Sequence, residues 1–294
     1  MLAESLTVDS AGCDDPPRAA RHEPIAPSLR PYRPVHFEGL IRVGRDFDGG
    51  YVLPRHVIDQ SQALLSLGVN DDWSFEEGIL GHNPRMRVTC VDGTTGMARI
   101  LRKAAKKAVE MLGHLLTLQL DRFLRDARYL AKPFAFRRFF SRHELLSLLV
   151  AGSAAPGCVT LPVLLERVTG GRKDGWVMVK SDIEGAEYDA LPGAIDRMGR
   201  VSALLIEFHR LDVHWEDFVA CMSALKRQFH VAWVHGNNFD GCIEGTKVPI
   251  TLELALVNKA LAPRDPPLST CHYPQPGLDM PNTRKRPDLQ LSFE

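Results

Sequence analysis

None of the six cysteines (Cys13, Cys90, Cys158, Cys221, Cys242 and Cys271) stands close enough to another to form a zinc or redox motif. Scattered thiols of this kind suit a reducing, cytoplasmic setting. No charge is in excess either: 36 basic residues balance 36 acidic ones, so whole-chain charge gives no reason to expect nucleic acid as a partner. The N-terminus lacks the basic start and apolar core of a signal peptide. No uninterrupted apolar run suits a membrane span. The charge-free stretch Leu145 to Leu165 is broken by Gly152, Ser153, Pro156, Gly157 and Pro162, and reads as a helix end, a loop and a helix start. No Gly-x-Gly-x-x-Gly follows the first strand of the alternating core, which argues against a nicotinamide dehydrogenase. Internal repeats are also lacking.

What is present is a chain of 294 residues, 45% hydrophobic, large enough to bury a sizeable core. Residues 1–30 mix acids, prolines and alanines without periodicity and read as a mobile tail. Residues 262–294 carry seven prolines and read as a second, irregular tail. Between them, over 31–261, apolar runs alternate with helical patterns. Strands are expected at Ala63–Leu67, Arg87–Val91, Trp176–Lys180, Val201–Phe208, Val231–Val234 and Ile250–Val257. Helical spacing covers Ala98 to about Leu130, Leu161–Val168, a short piece after Gly185, and Trp215–Phe229 with Phe218, Met222, Leu225 and Phe229 on one face. The alternation predicts an α/β fold, a mostly parallel twisted sheet with helices on both faces. A basic helical insert at about 99–144 holds twelve Lys and Arg against four acids. It reads either as a solvated helix face or as a landing surface for an anionic or lipid-linked acceptor.

Three apolar runs close on bursts of polar groups, in Trp176-Val-Met-Val-Lys-Ser-Asp-Ile-Glu-Gly-Ala-Glu187, Val201-Ser-Ala-Leu-Leu-Ile-Glu-Phe-His209 and His230-Val-Ala-Trp-Val-His-Gly-Asn-Asn238. Parallel strands would bring Asp182, Glu184, Glu187, Glu207, His209, His235, Asn237 and Asn238 to the carboxyl edge of one sheet, where open α/β sheets bind ligands. Asp182 and Glu184 share a face if the backbone is extended there, and Glu187 falls in the first turn of a helix. Helix capping and a salt bridge to Lys180 would explain one of these acids but not all three. Two histidines among carboxylates also admit a divalent metal, although no compact ligand motif fixes one. Upstream, Gly68 follows a strand and lets the backbone approach a nucleotide. Asp92, which ends the next strand, can accept hydrogen bonds from ribose hydroxyls or cap the following helix.

Together these strings resemble the FkbM family of S-adenosylmethionine-dependent methyltransferases. The likeness lies in Val179-Lys-Ser-Asp-Ile-Glu-Gly-Ala-Glu187, Leu205-Ile-Glu-Phe-His209 and Val234-His-Gly-Asn-Asn238. It extends upstream to the Asp-Gly-Gly-Tyr segment within Arg42–Val52 and to Ser66–Phe75, in order over about 40–257. The resemblance implies a seven-stranded Rossmann-like, class I methyltransferase sheet and methyl transfer to a hydroxyl of a sugar, glycan or natural product. In that expectation Gly68, Asn70 and Asp71 hold the cofactor's amino-acid end, Asp92 its ribose, and Asp48 closes over the pocket. His209 is the expected base, with Asp182 next and Glu184 beside them. Glu187, His235, Asn237 and Asn238 would contact the acceptor. A metal-dependent hydrolase and a non-catalytic glycan-binding module are the alternatives.

Overall fold

A computed structural model describes residues 26–294 apart from 118, 172 and 173. Most of the expected N-terminal tail therefore lies outside the described residues, but its last part is not loose: Leu29 is buried, and Tyr32 of the single turn Arg30–Tyr32 packs edge-on against Phe218.

A hairpin of β1 (Leu40–Gly44) and β2 (Gly50–Pro54) leads through α1 (Arg55–Gln60) into β3 (Ser61–Leu67). Then come α2 (Ser74–His82), β4 (Arg87–Val91), three insert helices α3 (Met97–Leu116), α4 (Leu120–Tyr129) and α5 (Lys132–Phe140), and β5 (Glu144–Leu146). A small parallel pair, β6 (Leu149–Val150) and β7 (Cys158–Val159), precedes α6 (Leu161–Thr169), β8 (Trp176–Ser181), α7 (Glu187–Ala190) and β9 (Val201–Phe208). The chain closes with α8 (Leu211–Leu225), β10 (Phe229–Gly236) and β11 (Leu252–Asn258). No helix among the described residues is long and apolar enough to cross a membrane.

The central sheet has seven strands in the order β10-β11-β9-β8-β3-β4-β5. The five from β9 to β5 are parallel, whereas β11 runs antiparallel to both of its neighbours, β9 and β10. Every residue of β9 and of β11 is buried, as expected of strands covered on both faces. The carboxyl ends of β3, β8, β9 and β10 thus share one edge.

Several elements differ from expectation: the helical spacing from Ala98 to about Leu130 divides into α3 and α4, and the last strand begins at Leu252 instead of Ile250. The last helix ends at Leu225, after burying Phe218, Met222 and Leu225, and Phe229 instead opens β10. The hairpin β1–β2 was not expected as strands, because only one of the five β1 residues is buried and no clean alternation marks it.

Residues 262–294 contain no helix or strand, yet they are fastened to the sheet. Tyr273 is buried with its ring 4.8 Å from Trp233, and the Trp233 indole N–H donates to Asp279 at 2.8 Å. Prolines deny this segment a ladder of its own, so side chains and isolated backbone bonds attach it.

Candidate functional site

A cleft of about 330 Å³ opens at the shared edge. Its floor is the turn after β3. Gly68 there has a φ of 76°, and a Cβ at this position would overlap the Asp182 carbonyl oxygen. Only glycine permits this approach of the β3 and β8 ends. The loop of the β1–β2 hairpin forms the roof. Arg45 of that loop pairs with Asp72 at 2.8 Å, tying roof to floor.

His209, just past β9, is the centre of the polar wall. Its Nδ1 lies 3.0 Å from Glu187 Oε1, which also accepts the backbone N–H groups of Ile183 and Gly185. Glu187 is fully buried, so this carboxylate fixes the Nδ1 proton and turns Nε2 toward the cleft. Nε2 then stands 3.8 Å from Asp182 Oδ1, 3.9 Å from Glu207 Oε1 and 3.7 Å from Glu184 Oε2. Asn237 lines the same wall and donates to Glu207 Oε1 at 2.7 Å.

Crowding of like charges sets the electrostatics. Burial raises the Asp182 carboxyl to about 6, against the pull of Lys180 and His209. Burial, reinforced by Asp182 and Glu253, holds Glu207 well above the usual carboxylate range. His209 is opposed by burial, yet the Glu187 hydrogen bond and the surrounding carboxylates carry it up to about 9. A proton held on the ring in this way weighs against the expected role of His209 as a free base.

The expected residues divide cleanly. Gly68, Asn70, Asp71, Asp48, Asp182, Glu184, Glu207, His209 and Asn237 all line the cleft. Glu187 does not contact it, but stands behind His209. Asp92 is also outside: its carboxylate accepts from the backbone N–H groups of Asn70, Thr94 and Thr95 and from the Thr94 hydroxyl. Four donors leave that side chain serving the turn, where it anchors Asn70 to the start of the insert. His235 is separated from His209 because β11 lies between β9 and β10. Its Nδ1 faces Glu253 and its Nε2 faces Asp288, each at 3.1 Å. Asn238 is likewise turned away, donating to the carbonyls of Thr283 and Arg286.

The cleft also contains groups that sequence reasoning passed over as site residues. Lys180 is buried and lines the cleft; burial opposes its charge, but Glu76, Asp182 and Glu207 raise its pKa. Its signal was legible, for it is the one charge inside the apolar run Trp176–Ser181. Arg45 and Asp72 lie within the strings Arg42–Val52 and Ser66–Phe75 but were given no role there, and Thr251 had no local signal. Asp71 is tied outward, accepting from Tyr129 at 2.6 Å and Lys103 at 2.9 Å, and these bonds overcome burial to hold it down at about 2.

Asp182, Glu207 and His209 each offer one ligand atom, and the three atoms lie within 4.8 Å of one another. Two ligands about 2.1 Å from one divalent ion stand about 3–4 Å apart, and the separations of His209 Nε2 from Asp182 and Glu207, 3.8 and 3.9 Å, fall in that range. The mixed oxygen and imidazole set suits magnesium, manganese or zinc rather than a thiophilic metal. No protein-family model matches the chain, and no curated protein is found similar to it.

Proposed function

We propose that the protein is an S-adenosylmethionine-dependent O-methyltransferase in which Asp182, Glu207 and His209 hold a divalent cation beside the acceptor hydroxyl. The observation that carries this reading is the meeting of those three ligand atoms with the Gly68 turn in one cleft. Seven acids line that cleft against Arg45 and Lys180, an environment that favours a cationic sulfonium and a metal and disfavours an anionic acceptor. The volume is that of a small-molecule site. The seven-stranded sheet with one reversed strand agrees with the resemblance to the FkbM family.

When bound, the cation lowers the pKa of a hydroxyl and S-adenosylmethionine supplies a methyl group on positively charged sulfur. The chain's own residues do the rest. Glu187 keeps its proton partner at His209 Nδ1, so Nε2 stays a ligand. Asn237 holds the Glu207 carboxylate in place, and Lys180 offsets the crowded negative charge. Glu184 sits at the mouth with its side chain 82% exposed and is placed to take the acceptor proton and release it to water. The turn from Gly68 to Asp72, braced by Arg45, would hold the methyl donor against the acceptor hydroxyl, the alignment that an in-line displacement needs. The donor would give up its methyl carbon to the hydroxyl oxygen and leave as S-adenosylhomocysteine. An uncharged sugar or natural-product hydroxyl is the class of acceptor that suits an acidic cleft.

Calorimetry with S-adenosylhomocysteine and, separately, with Mn²⁺ tests the reading. Both are expected to bind the wild type, and His209→Ala is expected to lose Mn²⁺ while keeping S-adenosylhomocysteine. Mn²⁺ binding with no affinity for S-adenosylhomocysteine would instead favour the hydrolase. Binding of neither would leave a glycan-binding module.

A further inference from the structure

The insert carries an apolar surface that the fold does not cover. Helix α3 buries Ile100 and Ala104 against the core, while on another side it exposes Leu101, Val109, Leu112 and Leu116, the last at 78%. Leu120 of α4 is 64% exposed and Phe134 of α5 is 80% exposed. Lys107 and His114 of α3 both reach Asp126 of α4 across the short connection, so the two helices form a side-by-side hairpin. Counted at about 100° per residue, Val109, Leu112 and Leu116 fall together on the side of α3 that faces away from that contact line. Isolated exposed leucines need no explanation, but a contiguous apolar stripe along one helix marks an interaction surface.

The charge around it identifies the occupant. The segment 99–144 holds twelve basic and four acidic residues. Its acids are partly spent internally, since Glu110 and Asp126 both pair with Lys107. Arg102, Arg122, Arg128, Arg137 and Arg138 are exposed and form no ion pair among the described residues. Leucine and phenylalanine beside unpaired arginines match a bilayer interface, where apolar side chains enter the acyl boundary and cations meet anionic headgroups. An acidic soluble protein would satisfy the arginines but leaves no reason for so broad an apolar stripe.

We propose that the insert docks this face on an anionic lipid surface. The inner side of the insert is bound to the cleft, because Lys103 of α3 and Tyr129 of α4 both hold Asp71 on its floor. A docked insert therefore sets the cleft at a fixed distance from the bilayer and gives it access to acceptors carried there. The docking itself does not depend on the methyl-transfer reading.

The test is flotation of the full chain with vesicles of phosphatidylcholine alone and of phosphatidylcholine with phosphatidylglycerol. Binding is expected only with phosphatidylglycerol present, weakening in high salt. Leu112→Glu with Leu116→Glu changes two exposed positions, and is expected to reduce partitioning by about tenfold or more with the thermal midpoint and helical circular dichroism unchanged. Arg137→Glu with Arg138→Glu is expected to weaken binding through charge alone. Failure of the wild type to float with either vesicle overturns the proposal. So does equal flotation of the leucine double variant, or a wild-type dimer in sedimentation that the leucine variant dissociates.

Discussion

At the scale of single residues, Glu187 is the group whose role changes most once its surroundings are known. Sequence places it near the acceptor, but the side chain is fully buried and one oxygen serves three donors. Its other oxygen has no partner, so the carboxylate is held by position and not by a saturated network. Glu187→Gln keeps the shape and an acceptor for the two backbone N–H groups while removing the charge that orients the imidazole. Loss of such an orienting carboxylate lowers metal affinity by about 10–100-fold. The variant is therefore expected to keep its thermal midpoint within a few degrees and its affinity for S-adenosylhomocysteine, while Mn²⁺ binding weakens by that factor in calorimetry. Unchanged Mn²⁺ affinity would remove Glu187 from the site. The His209–Asp182–Glu207 cluster itself was legible from two strands, β8 and β9, that end in polar bursts. The division of labour within it was not, because a carboxylate that faces a cleft and one that faces a histidine from behind look alike in sequence.

At the scale of elements, the buried runs announced themselves. Ala63–Leu67, Arg87–Val91 and Val201–Phe208 are strands in the structure, with one boundary extended to Ser61. What the runs could not reveal was their order. The placing of β11 between β9 and β10 puts Glu253 beside Glu207 on one side and beside His235 on the other. This sends His235 away from the cleft and into a clasp with Asp288 of the C-terminal segment. Burial opposes a charge on His235, but its bonds to Asp288 and Glu253 raise it to about 10. A histidine raised from about 6.5 in the unfolded chain stabilises the fold fully below that pH and loses the contribution as pH rises toward the folded value. The wild-type urea midpoint is thus expected to fall between pH 7 and 10. His209, raised for a similar reason, adds to the same slope. His235→Asn isolates the clasp: its midpoint is expected to be lower than wild type at pH 7 and to depend less steeply on pH over that interval. A variant with the wild-type slope would mean that the clasp carries no linked proton.

At the scale of the whole molecule, composition predicted a Pro-rich, irregular end, and irregular it is, yet it behaves as part of the core. Proline and the lack of periodicity report only the absence of a ladder; they say nothing of docking. Three kinds of attachment distinguish this segment from a loose tail. Tyr273 is buried against Trp233, Leu289 and Leu291 lie close to Gly236, and Asn238 is saturated by the backbone of Thr283 and Arg286. Asn282 adds a buried bond of 2.6 Å to Glu253, and the pairing of Val35 with Leu268 joins the segment to the start of the described chain. Removing a buried aromatic costs about 3–5 kcal/mol, and each buried polar group left without its partner adds about 1–3 kcal/mol. Truncation after Leu261 would remove Tyr273 and strand His235, Asn238 and Glu253 together. The sum is comparable with the about 5–15 kcal/mol that holds a typical domain folded. The truncated chain is therefore expected to lose its cooperative thermal transition and near-ultraviolet circular dichroism, while Asp288→Asn, which trims one bond of the clasp, only lowers the midpoint. A truncated chain melting with the wild-type midpoint would show that the seven strands stand without their strap, and that the burial of Trp233 and His235 beneath it contributes little to the fold.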